Sequence, residues 1–408
     1  MKPSPFYFHL LTAISLFGAV SCNSQTKTAV KQTNPKGASA AKFSDGTDYT
    51  VFTRARVYDK TGFSQPVEAF SLLIPEKWEF SGEILWTPPR TTCAGTNARF
   101  KAKSINGKYS FELYPTIAWN FNTDPQASQF NQNTSSAYCG YGEPLDAEHY
   151  LRQMFGPNEL GNPQIVEVKP NEAVTQEMRS KAEKSRQELM SYGASQVNIY
   201  PSSVYAKLKW NNGEEGIVMC GVTILEGVIP NIYNGTSGKI YTSTAMERIL
   251  FKYPVGEGKR AANMLSVIMS SIRTNIAWKN SVDNFWLAAR QQSNQEHIGR
   301  IRANDELTRQ MGEAAIRKGQ QNLNNMDNNI RSWEASQQSQ DRMHTNFVKA
   351  IREVENYQDE TGKIELSSGY NHAWSRSDGS SFIMSDNPNF DPSSVFQDQQ
   401  WKEMKQVQ

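Results

Sequence analysis

The sequence predicts an α+β protein: an antiparallel sheet domain with covering helices, followed by a long polar helix and a small C-terminal β-hairpin module. Three observations lead there. Runs that alternate apolar and polar residues meet at Asn106-Gly107, Asn212-Gly213 and Asp378-Gly379, the turn chemistry of β-hairpins. Residues 256–275 are amphipathic, with Ala262, Met264, Leu265, Ile268 and Ile272 on one side, as expected of a helix lying on a sheet. No proline occurs between Pro254 and Pro388, which permits a long uninterrupted helix.

The chain has 408 residues, 38% of them hydrophobic, enough to bury a core. Its 43 Lys and Arg against 41 Asp and Glu lack the basic excess of a nucleic-acid binder, so no nucleic-acid partner is expected. Only 4 Cys are present, too few for a disulfide scaffold.

The first segment reads as a signal peptide over residues 1–21. Lys2 supplies a positive start, and residues 6–20 form an apolar stretch too short to span a bilayer. It stops at Ala19-Val20-Ser21-Cys22, which resembles the lipobox of bacterial lipoproteins, although Ala19 stands where Leu is commoner. In that family signal peptidase II cuts before the Cys, whose thiol then carries diacylglycerol. The resemblance implies a palmitate-bearing lipoprotein anchored through Cys22 to the cell membrane or outer membrane, facing periplasm or exterior. Several acyl chains suffice for stable anchoring. Residues 22–47 follow as a tether. The stretch 23–42 has no aromatic and no acidic residue and buries too little apolar surface to offset its ordering entropy.

Residues 48–278 read as a sheet domain with a helical insertion. Strands are expected at residues 49–58 and 70–75, then at 100–104 and 109–113 around a type I′ Asn106-Gly107 turn. Another pair flanks Asn211-Asn212-Gly213, and residues 239–253 add a further strand. Between the hairpins, residues 146–155 and 171–190 look helical, the latter with a thin apolar stripe of Ala173, Met178, Ala182 and Leu189. The segment from Gly62-Phe63 through Ile74-Pro75-Glu76-Lys77-Trp78, with Ser271-Ile272-Arg273-Thr274-Asn275 later, loosely resembles the PsbP-like fold. That resemblance covers at most residues 49–278 and implies protein binding rather than chemistry; the insertion at 124–192 departs from it.

Residues 279–355 read as the polar helix, with a heptad-like seam that includes Phe347, Ile351 and Val354. Residues 356–408 return to strand patterning, and Tyr370, His372 and Trp374 alternate as an aromatic ladder. The ladder is expected to be buried against the helix seam, and is also a weak candidate for binding a sugar or peptide. Asp386 to Asp391 reads as Asx turns rather than a calcium loop.

For chemistry, the chain contains no HExxH, no CxxC, no Walker A loop and no dinucleotide fingerprint. Gly235-Thr236-Ser237-Gly238 lacks the spacing of a nucleophile elbow. No cofactor or metal is therefore expected, and a non-enzymatic role is favoured. Cys93 and Cys139 lie in loop-like sequence of an exported body and are the candidate disulfide; Cys220, in the apolar run 217–220, reads as a buried thiol. The resulting expectation is a membrane-anchored binding or scaffold protein of the cell envelope, contacting an envelope protein or polymer. The alternative is an envelope hydrolase whose Ser, Asp and His come from distant segments.

Overall fold

The computed structural model describes residues 43–89, 93, 95–124, 139–191, 196–230, 237–304, 356–359, 362–364, 370–377, 379–396 and 400–407. The expected signal peptide, Cys22, most of the tether, the polar helix beyond residue 304 and the seam at Phe347, Ile351 and Val354 lie outside these residues.

The described chain is mostly antiparallel sheet, with few helices. Strands β1 (Thr50–Asp59) and β2 (Val67–Pro75) form a hairpin with Phe52 opposite Pro75 and Asp59 opposite Val67. β2 is buried over its last seven residues because both its faces and both its edges are covered. Pro75 ends it, and Glu76-Lys77 turns the chain into β3 (Trp78–Thr87), which joins a different sheet.

That larger sheet runs β3, β4 (Gly95–Ser104), β5 (Ser110–Tyr114), β11 (Ser237–Pro254), β10 (Glu214–Pro230), β9 (Gln196–Lys209), β8 (Gln164–Pro170). β6 (Ile117–Asn122) takes over from β5 along the same edge of β11, and β7 (Cys139–Tyr141) runs parallel to β6. Both faces of this sheet are covered around the first half of β10, which is therefore buried at successive positions: Ile217 and Met219 face one core, Val218, Cys220 and Val222 the other.

The main core fills the space between the two sheets. Phe52 and Leu72 enter it from one side, Phe100, Phe111 and Phe251 from the other. Helix α4 (Gly258–Ser270) adds Met264, Leu265 and Ile268, as its apolar spacing predicts. The second core lies beneath a helical insertion: α1 (Ala147–Tyr150), a π-helical turn (Leu151–Phe155) and α2 (Gly156–Glu159). Helix α3 (Glu172–Ser191) docks Val174 and Met178 on the opposite face of the sheet. Helix α5 (Ile276–Asn304) begins with Trp278, Val282 and Trp286 in the main core.

At the end of β1 the Asp59-Lys60-Thr61-Gly62 turn is organised by a fully buried carboxylate. Asp59 Oδ1 accepts from the amides of Thr61 and Gly62 at 3.1 and 2.8 Å. Its Oδ2 accepts from the indoles of Trp86 and Trp278, both at 2.9 Å. Gly62 is required by close approach: a Cβ there would lie 2.4 Å from the Trp86 ring.

Three expectations are corrected. The turn at Asn106-Gly107 is not type I′, since Gly107 has φ 69° but Asn106 is not among the residues with positive φ. The Gly107 amide donates to Ser104 O (2.8 Å), and the Ser104 hydroxyl accepts the Tyr109 amide (2.9 Å). That hydroxyl takes the place of a closing backbone bond and opens the loop to four residues, 105–108.

Second, the C-terminal hairpin is not a separate module; its expected seat on the seam at Phe347, Ile351 and Val354 lies outside the described residues. β15 (His372–Arg376) and β16 (Ser381–Ser385) join the N-terminal hairpin in one sheet of order β12 (Arg273–Thr274), β2, β1, β16, β15, β17 (Trp401–Glu403). Val51 lies opposite Ile383, because the free edge of β1 offers a full hydrogen-bonding ladder that a lone hairpin would leave unmet. Third, the aromatic ladder is split. Tyr370 precedes the strand and enters the main core, while Trp374 packs on Tyr49, Val51, Ile383 and Phe390. A small third sheet, β14 (Gly362–Ile364), β13 (Asn356–Asp359), β18 (Lys405–Val407), completes the described residues.

Candidate functional site

A polar cleft of about 260 Å³ opens where three distant segments meet: residues 46–50 at the start of the body, residues 256–263 at the start of α4, and Tyr370 with Asp386 near the C-terminus. The first wall is a tight turn in which the Ser44 amide donates to Asp48 Oδ2 at 2.8 Å and the Gly46 amide to Tyr49 O at 2.6 Å. It is tied to the third wall: Asn387 Nδ2 donates to Asp48 Oδ1 at 3.0 Å, and the Ser385 hydroxyl to Asp48 O. Asp386 is held by the Asn371 amide at 3.2 Å.

The second wall carries two cations beside the carboxylate of Glu257. Gly256 (φ 87°) turns the chain into α4, and Glu257 at its N-cap position makes no side-chain cap. The amides of the first turn carry the positive end of the helix dipole, and Lys259 and Arg260 add full charges beside it. The Arg260 guanidinium lies 5.6 Å from the Tyr109 ring centroid. Opposite stand the carboxylates of Asp48 and Asp386. Burial, then the negative charge of Asp45, pushes the Tyr49 hydroxyl above its ordinary pKa, so it stays a neutral donor. The lining thus mixes the cations Lys259 and Arg260 with the carboxylates of Asp48, Glu257 and Asp386, which suits a ligand with both kinds of charge.

The expected site residues fall in several places. Cys93 and Cys139 are joined by a disulfide with Cα atoms 5.5 Å apart, tying the loop before β4 to β7. Cys220 is fully buried, its thiol 3.7 Å from Ala147 O, and burial pushes its pKa up to about 12. Of the aromatic trio, Tyr370 is only 8% exposed yet reaches the cleft wall. Trp374 is equally buried, stacked by half-buried His372 at 5.8 Å and met edge-on by Phe390 at 5.4 Å. His372 Nδ1 lies 3.8 Å from Glu403. Residues 386–391 carry Asx chemistry: Asn387 Oδ1 accepts the Asn389 amide at 3.0 Å, and Asp391 caps α6 (Pro392–Val395) through the Ser393 amide at 2.9 Å. No group of three or more His, Cys, Asp or Glu able to hold a metal occurs among the described residues.

Two polar arrangements had no sequence signal. Arg248, 1% exposed, sits where β5 gives way to β6. Its guanidinium donates to Pro115 O at 2.5 Å and to Glu159, and lies 4.6, 5.6 and 5.9 Å from the rings of Phe155, Tyr114 and Tyr150. Burial raises the pKa of both tyrosines, so the charge is held by one carboxylate and three aromatic faces. This fastens the helical insertion to the sheet. On the surface, Asp146 caps α1 and bonds His149 Nδ1 at 2.9 Å. Burial works to raise the Asp146 pKa, but the backbone and ring donors of His149 outweigh it and hold the carboxyl below its usual range. The adjacent Ser202 hydroxyl accepts the Ala147 amide (2.8 Å) and donates to Val222 O (3.4 Å), so it is bonded to backbone rather than to His149.

No family model, no curated protein and no solved structure matches the chain.

Proposed function

We propose that the chain is a lipid-anchored binding protein of a bacterial cell envelope, and that its cleft takes a dipolar ligand, one bearing both an amine and an acid group. Support for the binding reading comes from the cleft lining, which brings Lys259, Arg260 and the start of α4 together with the carboxylates of Asp48, Glu257 and Asp386. Support for the anchor is the Ala19-Val20-Ser21-Cys22 sequence. The two are connected, because the first described residue, Phe43, leads within a few positions into the cleft wall.

Two measurements test the reading. Replacing Cys22 with Ala is expected to abolish labelling by a clickable palmitate analogue and to move the protein out of the membrane fraction; persistent labelling would remove the anchor. Affinity capture from envelope membranes, with bound components identified by mass, is then compared between the wild type, Arg260→Ala and Asp386→Ala. A component lost in both variants supports the cleft, whereas identical capture by all three proteins rejects it.

A further inference from the structure

A second surface, on the opposite region of the fold, has a different chemistry. Strand register places Asn198, Glu226, Tyr241 and Phe121 side by side across β9, β10, β11 and β6. The neighbouring row is Tyr200, Ile224, Ser243 and Trp119. Residues paired across a ladder share one face of the sheet. Trp119 stacks on Tyr150 of α1 at 5.4 Å, so these rows continue the face covered by the helical insertion. The rings beyond Trp119 lie outside that buried cluster. Tyr200 is 49% exposed, and Phe121, Tyr141 and Tyr241 are half-buried.

Three of these rings share the face, Tyr200, Tyr241 and Phe121, with Phe121 6.3 Å from Tyr241; Tyr141, paired with Asn120, belongs to the other face and meets Phe121 at 5.9 Å. Set among them is a fixed polar group. Glu226, 8% exposed, accepts from Asn198 Nδ2 at 3.0 Å and Lys239 Nζ at 3.5 Å, and also from the Tyr241 hydroxyl. One carboxylate and one ammonium cancel, so the platform has no net charge to select an ionic partner. From β9 to β6 it crosses four strands, about 14 Å at the usual strand spacing, room for a few sugar rings in series.

We propose that this face binds a neutral polysaccharide chain laid across the strands. The C–H faces of pyranose rings would stack on Tyr200, Tyr241 and Phe121, and ring hydroxyls would bond the polar groups that Glu226 holds in place. Aromatic side chains provide a broad, rigid contact surface at little entropic cost, and a hydroxyl-rich neutral ligand matches a platform that is polar yet uncharged. A protein partner or an anionic polymer would need, respectively, a larger continuous apolar area or a basic excess. This inference depends on neither the anchor nor the cleft.

The test is affinity electrophoresis of the purified full-length protein through gels containing a neutral β-glucan, a galactomannan or anionic polygalacturonate. Retardation by at least one neutral polymer is expected, unchanged by added salt. Tyr200→Ala, at an exposed position that leaves the core untouched, should weaken binding by roughly tenfold, the loss of one ring stack, while Tyr200→Phe should retain it. Mobility unaffected by either neutral polymer, retardation by polygalacturonate alone, or full binding by Tyr200→Ala would each overturn the assignment.

Discussion

Asp59 shows how much of the fold can rest on one charged atom pair. Its carboxylate is fully buried and is met by two indoles and two turn amides, which join β1, β3 and the first turn of α5. Asn at this position would keep one acceptor but turn an amide N–H₂ towards the indole N–H groups of Trp86 and Trp278. Leaving buried donors unmatched costs 1–3 kcal/mol each, so Asp59→Asn should lose about 3 kcal/mol or more. Urea unfolding measures this directly, and an unchanged midpoint would show that the indoles find other partners. Glu226 gives a pH signature. Burial works to raise its pKa, but Tyr241, Asn198 and Lys239 together hold it below the reference value of 4.5. Because the folded value is depressed, its contribution is present above about pH 4.5 and is lost as the pH falls through the folded pKa. Melting temperature should therefore fall more steeply below pH 4.5 for wild type than for Glu226→Gln. Parallel curves for the two proteins would contradict it.

At the scale of elements, the disulfide is the clearest quantitative case. Cys93 and Cys139 are 46 positions apart, and the chain-entropy model assigns a loop of that length about 4 kcal/mol. The double Cys93→Ser, Cys139→Ser variant should lose a similar amount, and non-reducing peptide mapping should find Cys220 unlinked. A stability equal to wild type would show that β7 and the loop before β4 stay in place unaided. Elements of this size were the most legible in the sequence. β1, β9 and β11 announce themselves by alternation and β2 by its apolar run closed by Pro75, while the amphipathic stretch 256–275 marks α4 but overruns its end at Ser270, and the helix is buried on nearly all sides. Turn geometry was less legible, since the Ser104 hydroxyl, outside the two-residue signal, decides the form of the 105–108 loop. The two candidate surfaces were illegible for another reason. The cleft gathers residues from positions 46 to 386, and the aromatic platform takes one ring from each of three strands. No local spacing encodes either. Tyr370, His372 and Trp374, adjacent enough to look like a site, are instead drawn into two different packing clusters or stacked against one of them.

For the molecule as a whole, the joining of its two ends makes stability a shared property. Trp374 packs against Tyr49 and Val51, and Phe382 and Met384 enter the main core. Trp374→Ala should therefore cost about 3–5 kcal/mol and lower a single cooperative transition, rather than releasing the C-terminus alone. Differential scanning calorimetry distinguishes the two: a separate low-temperature peak with an unmoved main peak would mean that the C-terminal strands melt independently. The same closure also sets a schedule. The Ser385 hydroxyl bonds Asp48 O across 337 positions, and the outer edge of β1 is filled only by β16. A chain emerging from its N-terminus can pair β1 with β2 early, yet must carry the other edge of β1 open until almost the last residue is available. Such an edge is a template for pairing with other chains, and distant pairings form slowly. Any molecule whose synthesis stops before residue 381 keeps that edge permanently, so incomplete copies of this protein are expected to be adhesive to one another, and the burden of quality control falls on the final few dozen residues.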